Sequence, residues 1–282
     1  MKQMRSAECG MRNCRARSRR QTARRTPPLH SAFRTPHSAL FVIVLFPFTT
    51  MPAQQWPPNS PDRPRPPVVQ PAPEQPSVPP PSDAVVLFDG MSLADWQNAD
   101  SGGGPAKWLV KDGYMEVVAG SGNIMTRRAF GSVQLHIEWR APLPPTGEGQ
   151  DRGNSGVFLM SHYEIQVLDS YHNDTYADGQ AAAIYGQTPP LVNASRPPGA
   201  WQTYDVVFNR PVFGPGGAVV QPARVTVFHN GVLVHDYDVI TGWTVHNRVA
   251  TYRPHPDRLP LLLQDHGHPV RYRNIWVREL AQ

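Results

Sequence analysis

The eight residues Val133-Gln-Leu-His-Ile-Glu-Trp-Arg140 alternate without a break between apolar and polar side chains. Successive side chains of a strand point to opposite faces, so a period of two fits a strand with one buried side. Val133, Leu135, Ile137 and Trp139 are expected on a core, and Gln134, His136, Glu138 and Arg140 on the opposite face. A row of mixed charge is also what a merely solvated face presents. Short segments rich in Val, Ile and aromatics recur at 85–88, 107–110, 114–118, 156–160, 163–168, 204–209, 223–229, 232–237, 261–264 and 271–280. Gly, Pro, Asn and Asp punctuate them. Asp112-Gly113 and Asn230-Gly231 are tight-hairpin dipeptides, because both residue types tolerate the positive φ such turns need. Helical periodicity is nearly absent; only 178–184 has room for a turn or two. The pattern predicts an all-β fold, an antiparallel two-sheet sandwich.

Charge divides the chain. It carries 27 Lys/Arg and 22 Asp/Glu, a formal +5. Ten of those bases and one acid lie in residues 1–53, which leaves 17 bases against 21 acids, a net −4, in the remainder. The basic character therefore belongs to the tail. A mildly acidic body lacks the clustered Lys/Arg footprint of nucleic-acid binding. In the tail, an Arg-rich stretch precedes the apolar run 39–46 and then small residues, the order of an export signal. The run is too short for a membrane-spanning helix of ~20 residues. Residues 1–53 are expected to be a disordered export segment and the mature chain periplasmic or extracellular, with no integral membrane domain. Both cysteines, Cys9 and Cys14, fall in this tail, so the body makes no disulfide or thiolate site. Residues 54–82 are so proline-rich that they read as an extended spacer, leaving 83–282 as one domain.

Candidate site residues come from three segments. Gly153-Asn-Ser-Gly156 opens a strand with little side-chain bulk and brings Asn154. Glu164 and Gln166, two apart, share a strand face, and Asp169 follows. Near the C-terminus, Gln264, Asp265, His266 and His268 flank a Gly/Pro turn, before Arg271 and Arg273. With Glu138 and Arg140, these are groups that hydrogen-bond hydroxyls or pair with developing oxyanions. Tyr185 and Trp201 are loop aromatics suited to stacking on a sugar ring. The His266/His268 pair beside Asp265 leaves room for a divalent metal without specifying one, and no cofactor is firmly implied. The elbow of a serine hydrolase, a phosphate loop and a dinucleotide fingerprint are all absent.

Several motifs together resemble the 3-keto-disaccharide hydrolase domain family. They include Leu87-Phe-Asp-Gly-Met-Ser-Leu-Ala-Asp-Trp96, Glu138-Trp-Arg140, Gly153-Asn-Ser-Gly-Val-Phe-Leu159 and Tyr163-Glu-Ile-Gln-Val-Leu-Asp169. Further matches are Pro198-Gly-Ala-Trp-Gln202, Leu262-Leu-Gln-Asp-His-Gly267 and Val270-Arg-Tyr-Arg-Asn-Ile275, so the resemblance spans essentially 84–282. It implies a concanavalin- or laminarinase-like jelly roll that cleaves glycosides already oxidised at C3. The ketone acidifies the C2 proton; its removal gives an enolate that expels the C1 substituent, and water adds back. A sugar 3-dehydrogenase is the expected upstream partner. The expected roles are His266 or Glu164 as base, Glu138 as acid or orienting group, and Arg140, Arg271 or Arg273 on the enolate. Asn154, Gln166, Asp169, Tyr185, Trp201 and Gln264 are expected to bind substrate. Two other readings stay open: a non-catalytic carbohydrate-binding module, and a retaining glycosidase using Glu164 with Asp169.

Overall fold

The computed structural model describes residues 56–100 and 102–281. The expected export segment and its two cysteines lie outside them. The strands are β1 (Val85–Phe88), β2 (Trp96–Asn98), β3 (Leu109–Lys111), β4 (Tyr114–Glu116) and β5 (Ile124–Phe130). Next come β6 (Val133–Arg140), β7 (Ser155–Leu159), β8 (Tyr163–Val167), β9 (Gln202–Asn209) and β10 (Val212–Phe213). The last are β11 (Val219–Gln221), β12 (Arg224–His229), β13 (Val232–Val239), β14 (Leu259–Leu263) and β15 (Arg271–Glu279). Among the described residues, helix is confined to short 3-10 turns; one of them, Ala177–Gly179, overlaps only the first two residues of the 178–184 stretch expected to turn.

Two antiparallel sheets carry the fold, as the alternation predicted. The larger has eight strands, ordered β13-β12-β9-β6-β15-β4-β3 with β1 also on β15; the smaller is β2-β5-β14-β7-β8. Leu135, Ile137, Trp139, Tyr204 and Tyr272 of the larger sheet meet Val157, Leu159, Tyr163, Ile165 and Val167 of the smaller in one buried core. The outer faces of the two sheets therefore look in opposite directions. Both hairpin dipeptides close two-residue turns, with φ of 49° and 80° at Asp112-Gly113 and 54° and 79° at Asn230-Gly231. The strand at Ile124–Phe130 lacked a readable alternation, since Arg127 and Arg128 interrupt it.

Two hydroxyls tie the layers together across the core. Tyr272 donates to Ser155 Oγ at 2.7 Å, and Ser155 donates on to the Gln264 carbonyl at 2.6 Å. Tyr204 donates to the Gln166 carbonyl at 2.7 Å. Buried hydroxyls must find partners, and these partners lie on the strands that carry the candidate site.

The proline-rich segment departs from the expectation of a free spacer. Residues 56–82 lie along the sandwich as part of the same compact unit. Proline keeps this chain extended and out of internal ladders, so its carbonyls are free to accept from the body. Pro67 O accepts from Asn193 N at 2.9 Å, Ala72 O from Arg196 at 3.1 and 3.2 Å, and Val78 O from Asn274 at 2.9 Å.

Candidate active site

The outer face of the smaller sheet holds a cleft of about 230 Å³ lined by Asn154, Phe158, Glu164, Gln166, Tyr185, Thr244, His246, Gln264 and His266. Alternation aims Glu164 and Gln166 outward from β8, because Tyr163, Ile165 and Val167 take the core side. Phe158 stands opposite Glu164 on β7, and Gly156 opposite Gln166. The free edge of β8 is covered by the following loop, through Gln166 N to Ala183 O at 3.0 Å and Tyr185 N to Glu164 O at 3.3 Å. That pairing delivers Tyr185 to the cleft and hides an exposed strand edge. Gln264 is fixed through its backbone N–H to Gly156 O at 3.0 Å. Asp265 accepts from Gly267 N at 2.9 Å and from Gly122 N at 3.0 Å, which shapes the turn carrying His266.

Glu164 is 4% exposed, and its carboxyl has neither a hydrogen bond nor an ion pair among the described residues. Burial alone pushes it up from 4.5 to about 8. His266 is exposed at the rim; burial of part of the ring and its neighbour His268 lower its pKa, so it is neutral. Burial raises the Tyr185 phenol, which stays protonated. Its hydroxyl is 2.7 Å from both Tyr176 OH and His246 Nδ1. Gln264 Oε1 is buried without a partner, an acceptor left for a ligand hydroxyl.

The structure brings Glu164, His266, Asn154, Gln166, Tyr185 and Gln264 together and parts them from the rest. Gln166 is less free than its type implied: its amide nitrogen donates to Gln150 Oε1 at 3.0 Å and its Oε1 accepts from Val167 N at 3.2 Å. It braces the wall rather than offering hydrogen bonds. Asn154 Nδ2 donates to Gln150 O at 2.8 Å and holds the same neighbour. Asp169, five residues beyond Glu164, points away and pairs with Arg152 at 2.8 Å. An odd spacing puts two strand residues on opposite faces unless a bulge intervenes.

Glu138, Arg140, Arg271, Arg273 and Trp201 do not reach the cleft. β6 and β15 belong to the larger sheet, so their outward side chains lie on the far side of the sandwich. There Glu138 is 2% exposed and accepts from Ser77 at 2.9 Å, Arg273 at 2.6 Å and Asn274 at 2.9 Å. Burial opposes its charge, yet hydrogen bonds from His136, Asn274, Ser77 and Arg273 outweigh burial and hold it down at about 2. An acid so firmly ionised donates no proton. His136, despite burial, is raised to about 9 by Asp205 and Glu138. Arg140 and Arg273 lie over Trp201 at 4.6 and 4.1 Å, and Arg271 pairs with Glu116. The alternation correctly placed Glu138 and Arg140 away from the core, but a period of two cannot say which of two sheets a strand joins.

Sequence reasoning missed Phe158, Thr244 and His246. Phe158 was legible, since it alternates with Val157 and Leu159 and faces Glu164 across the hairpin. Thr244 and His246 sit on an irregular loop without periodicity; Thr244 Oγ1 accepts from Glu164 N at 3.0 Å. Among the described residues, no three His, Cys, Asp or Glu side chains converge in a metal-binding group.

Gly156 is required by closeness. A Cβ there would stand 2.5 Å from Glu164 Oε1 and 2.7 Å from Phe158. Gly156→Ala is expected to displace the Glu164 carboxyl and to lower stability by about 1–3 kcal/mol. Urea unfolding and ligand titration check it, and unchanged values for both would contradict this packing.

The comparisons concern the family and the fold. A crystal structure of a candidate glycosyl hydrolase from Parabacteroides distasonis is 44% identical, covers 77% of this chain and 93% of its own, and superposes with a TM-score of 0.71. A second candidate glycosyl hydrolase from the same organism, at 18% identity, covers 71% of this chain and 94% of its own with a TM-score of 0.52; it shares the fold. No curated protein matches the chain. Residues 83–278 match the 3-keto-alpha-glucoside-1,2-lyase-like domain, and the chain belongs to that family.

Proposed function

We propose that the protein cleaves glycosides whose sugar carries a ketone at C3, by elimination across C1–C2 followed by hydration. The observation that carries this reading is Glu164, a buried, unpartnered carboxyl in a sugar-scale cleft, with its pKa near 8. A base with a pKa close to the working pH is effective in proton transfer. As the carboxylate, Glu164 takes the C2 proton and becomes the neutral acid that burial favours. The C–H electron pair moves onto the C3 oxygen as an enolate. It then returns to form the C1=C2 bond and expel the C1 oxygen, which takes a proton from the rim or from water. Water adds at C1 and a proton returns to C2, so the sum is hydrolysis.

No arginine or lysine lines the cleft among the described residues, so the enolate is stabilised by neutral donors. The Tyr185 phenol, held between Tyr176 and His246, fits that part, and uncharged His266 is placed at the mouth to serve the departing oxygen. Gln264 Oε1 accepts from a sugar hydroxyl. A retaining glycosidase needs two carboxyls about 5–5.5 Å apart, whereas among the described residues Glu164 is the single carboxylate on the lining. The substrate requires a prior oxidation of the sugar at C3, so the reaction class upstream is a sugar 3-dehydrogenase. The export expected for the chain would place this chemistry outside the cytoplasm.

Incubating the purified chain with a 3-keto-glucoside tests the reading, with release of the C1 substituent and transient enone absorbance followed with and without a chelator. Release through an enone in both arms supports it. Loss of release on chelation would add a metal to the account. Tight binding with no release would favour a carbohydrate-binding module instead.

A further inference from the structure

We infer that Asn59, in the proline-rich strap outside the family match, is a positioning residue for the candidate active site, with Arg63 as its second anchor. The strap precedes residue 83, where the match begins. Its first turn nevertheless sits behind the two loops that form the Tyr185–His246 wall of the cleft. Asn59 is buried and adopts a left-handed φ of 58°. Its backbone N–H donates to Asp178 Oδ2 at 3.0 Å, at the start of the loop that leads to Tyr185. Its Oδ1 accepts from Asn247 N at 2.9 Å, one residue beyond His246. Asn59 thus bridges the two loops whose side chains meet at the Tyr185–His246 hydrogen bond. A Cβ at Gly186 would lie 3.8 Å from the Asn59 amide, so the strap packs directly against the residue after Tyr185.

Arg63 fastens the same place independently. Its guanidinium donates to Gln187 O at 2.8 Å and lies 3.6 Å from Asp178 Oδ2. The loops are irregular in backbone between 180 and 188 and between 241 and 258. Gln187 also joins them, accepting from Thr241 N at 2.7 Å and donating to Gly242 O at 3.2 Å, and the strap adds its own ties at Asn247 N, Asp178 and Gln187 O. The far end of the strap, at Ser77, serves the opposite face through Glu138. The strap is therefore functionally uneven: its first turn sets the cleft wall, and its last residues seal the larger sheet.

This inference rests on the proposed function only for its kinetic readout. Asn59→Gly removes the side-chain bridge yet suits the left-handed backbone and keeps the N–H to Asp178. Arg63→Met removes the second anchor, and Ser77→Ala is the control at the far end. All are compared in the full chain, by amide hydrogen exchange and by turnover of a 3-keto-glucoside. Asn59→Gly is expected to speed exchange at 244–248 and Arg63→Met at 185–188, each by about tenfold or more, with a thermal midpoint close to that of the parent. In each, kcat should fall about ten- to a hundredfold, as misplacing a catalytic wall does, with a smaller change in KM. Ser77→Ala should leave loop exchange and kcat unchanged. Unaltered loop exchange in both strap variants overturns the inference, as does an equal rise across the whole sandwich. If Asn59→Gly fails to fold, Arg63→Met decides alone. If the parent chain turns over no 3-keto-glucoside while exchange rises in the named loops, the positioning stands and the proposed function falls.

Discussion

Glu164→Gln is expected to lower kcat/KM on a 3-keto-glucoside by about 10²–10⁴-fold, the usual worth of a positioned general base. The amide keeps the shape and burial of the side chain, so the loss would be chemical. The pH dependence follows from the pKa near 8 produced by burial. Activity of the free enzyme needs the carboxylate, so kcat/KM should climb with pH through about 8 and level above it. Stability runs the other way. The folded state holds the Glu164 proton more tightly than the unfolded chain does. The resulting stabilisation is fully present below about 4.5 and is lost as pH rises through about 8. Glu164→Gln removes that dependence and should make the protein more stable than the parent at pH 9, by on the order of a few kcal/mol. Lower activity together with higher stability at high pH separates loss of the base from loss of folding. Full activity in Glu164→Gln would exclude it as the base.

Glu138→Ala is expected to do the reverse, destabilising the fold by about 3–5 kcal/mol while sparing the chemistry. Glu138 is the buried acceptor for Ser77, Arg273 and Asn274 and lies 3.5 Å from His136. Its removal takes the nearest carboxylate from Arg273, which keeps only Glu74 at 3.9 Å, and one of two from His136, which keeps Asp205 at 2.7 Å. Breaking a buried, hydrogen-bonded pair by removing one partner costs far more than the pair itself contributed. Activity per folded molecule should stay within about twofold of the parent, because the cleft lies across the core on the other sheet. Denaturant unfolding gives the first quantity and active-site titration the second. A large fall in kcat at unchanged stability would return Glu138 to the catalytic machinery and break the division between the two faces.

That division marks the limit of what the sequence shows. Strand identity and facing were legible wherever alternation was clean, as at β6 and in the β7–β8 hairpin. The two-residue turns were legible because Asn-Gly and Asp-Gly have few alternatives. Glu164 and Gln166 were correctly paired on one face because side-chain direction along a strand is local. Which sheet a strand joins is not local. It depends on pairing between β6 and β15, more than 130 residues apart at Arg273 and Glu138. The arginines of β15 were drawn toward His266 by nearness in sequence, although the chain passes between sheets at 264–270. His246 and Thr244 were invisible because a loop held by partners elsewhere carries no pattern of its own. The strap misled for a related reason. Proline content reports an extended backbone, and says nothing of whether that backbone lies free or against a body that supplies donors to its carbonyls.

The most direct test is a matched pair of substrates: one alkyl glucoside oxidised at C3 and its unoxidised parent, each given to the parent chain and to Glu164→Gln. The account predicts cleavage of the oxidised sugar alone, by the parent chain alone, with the rate rising toward pH 8. Comparable cleavage of the unoxidised glucoside would contradict it, since no C2 proton is then acidic enough for Glu164 to remove.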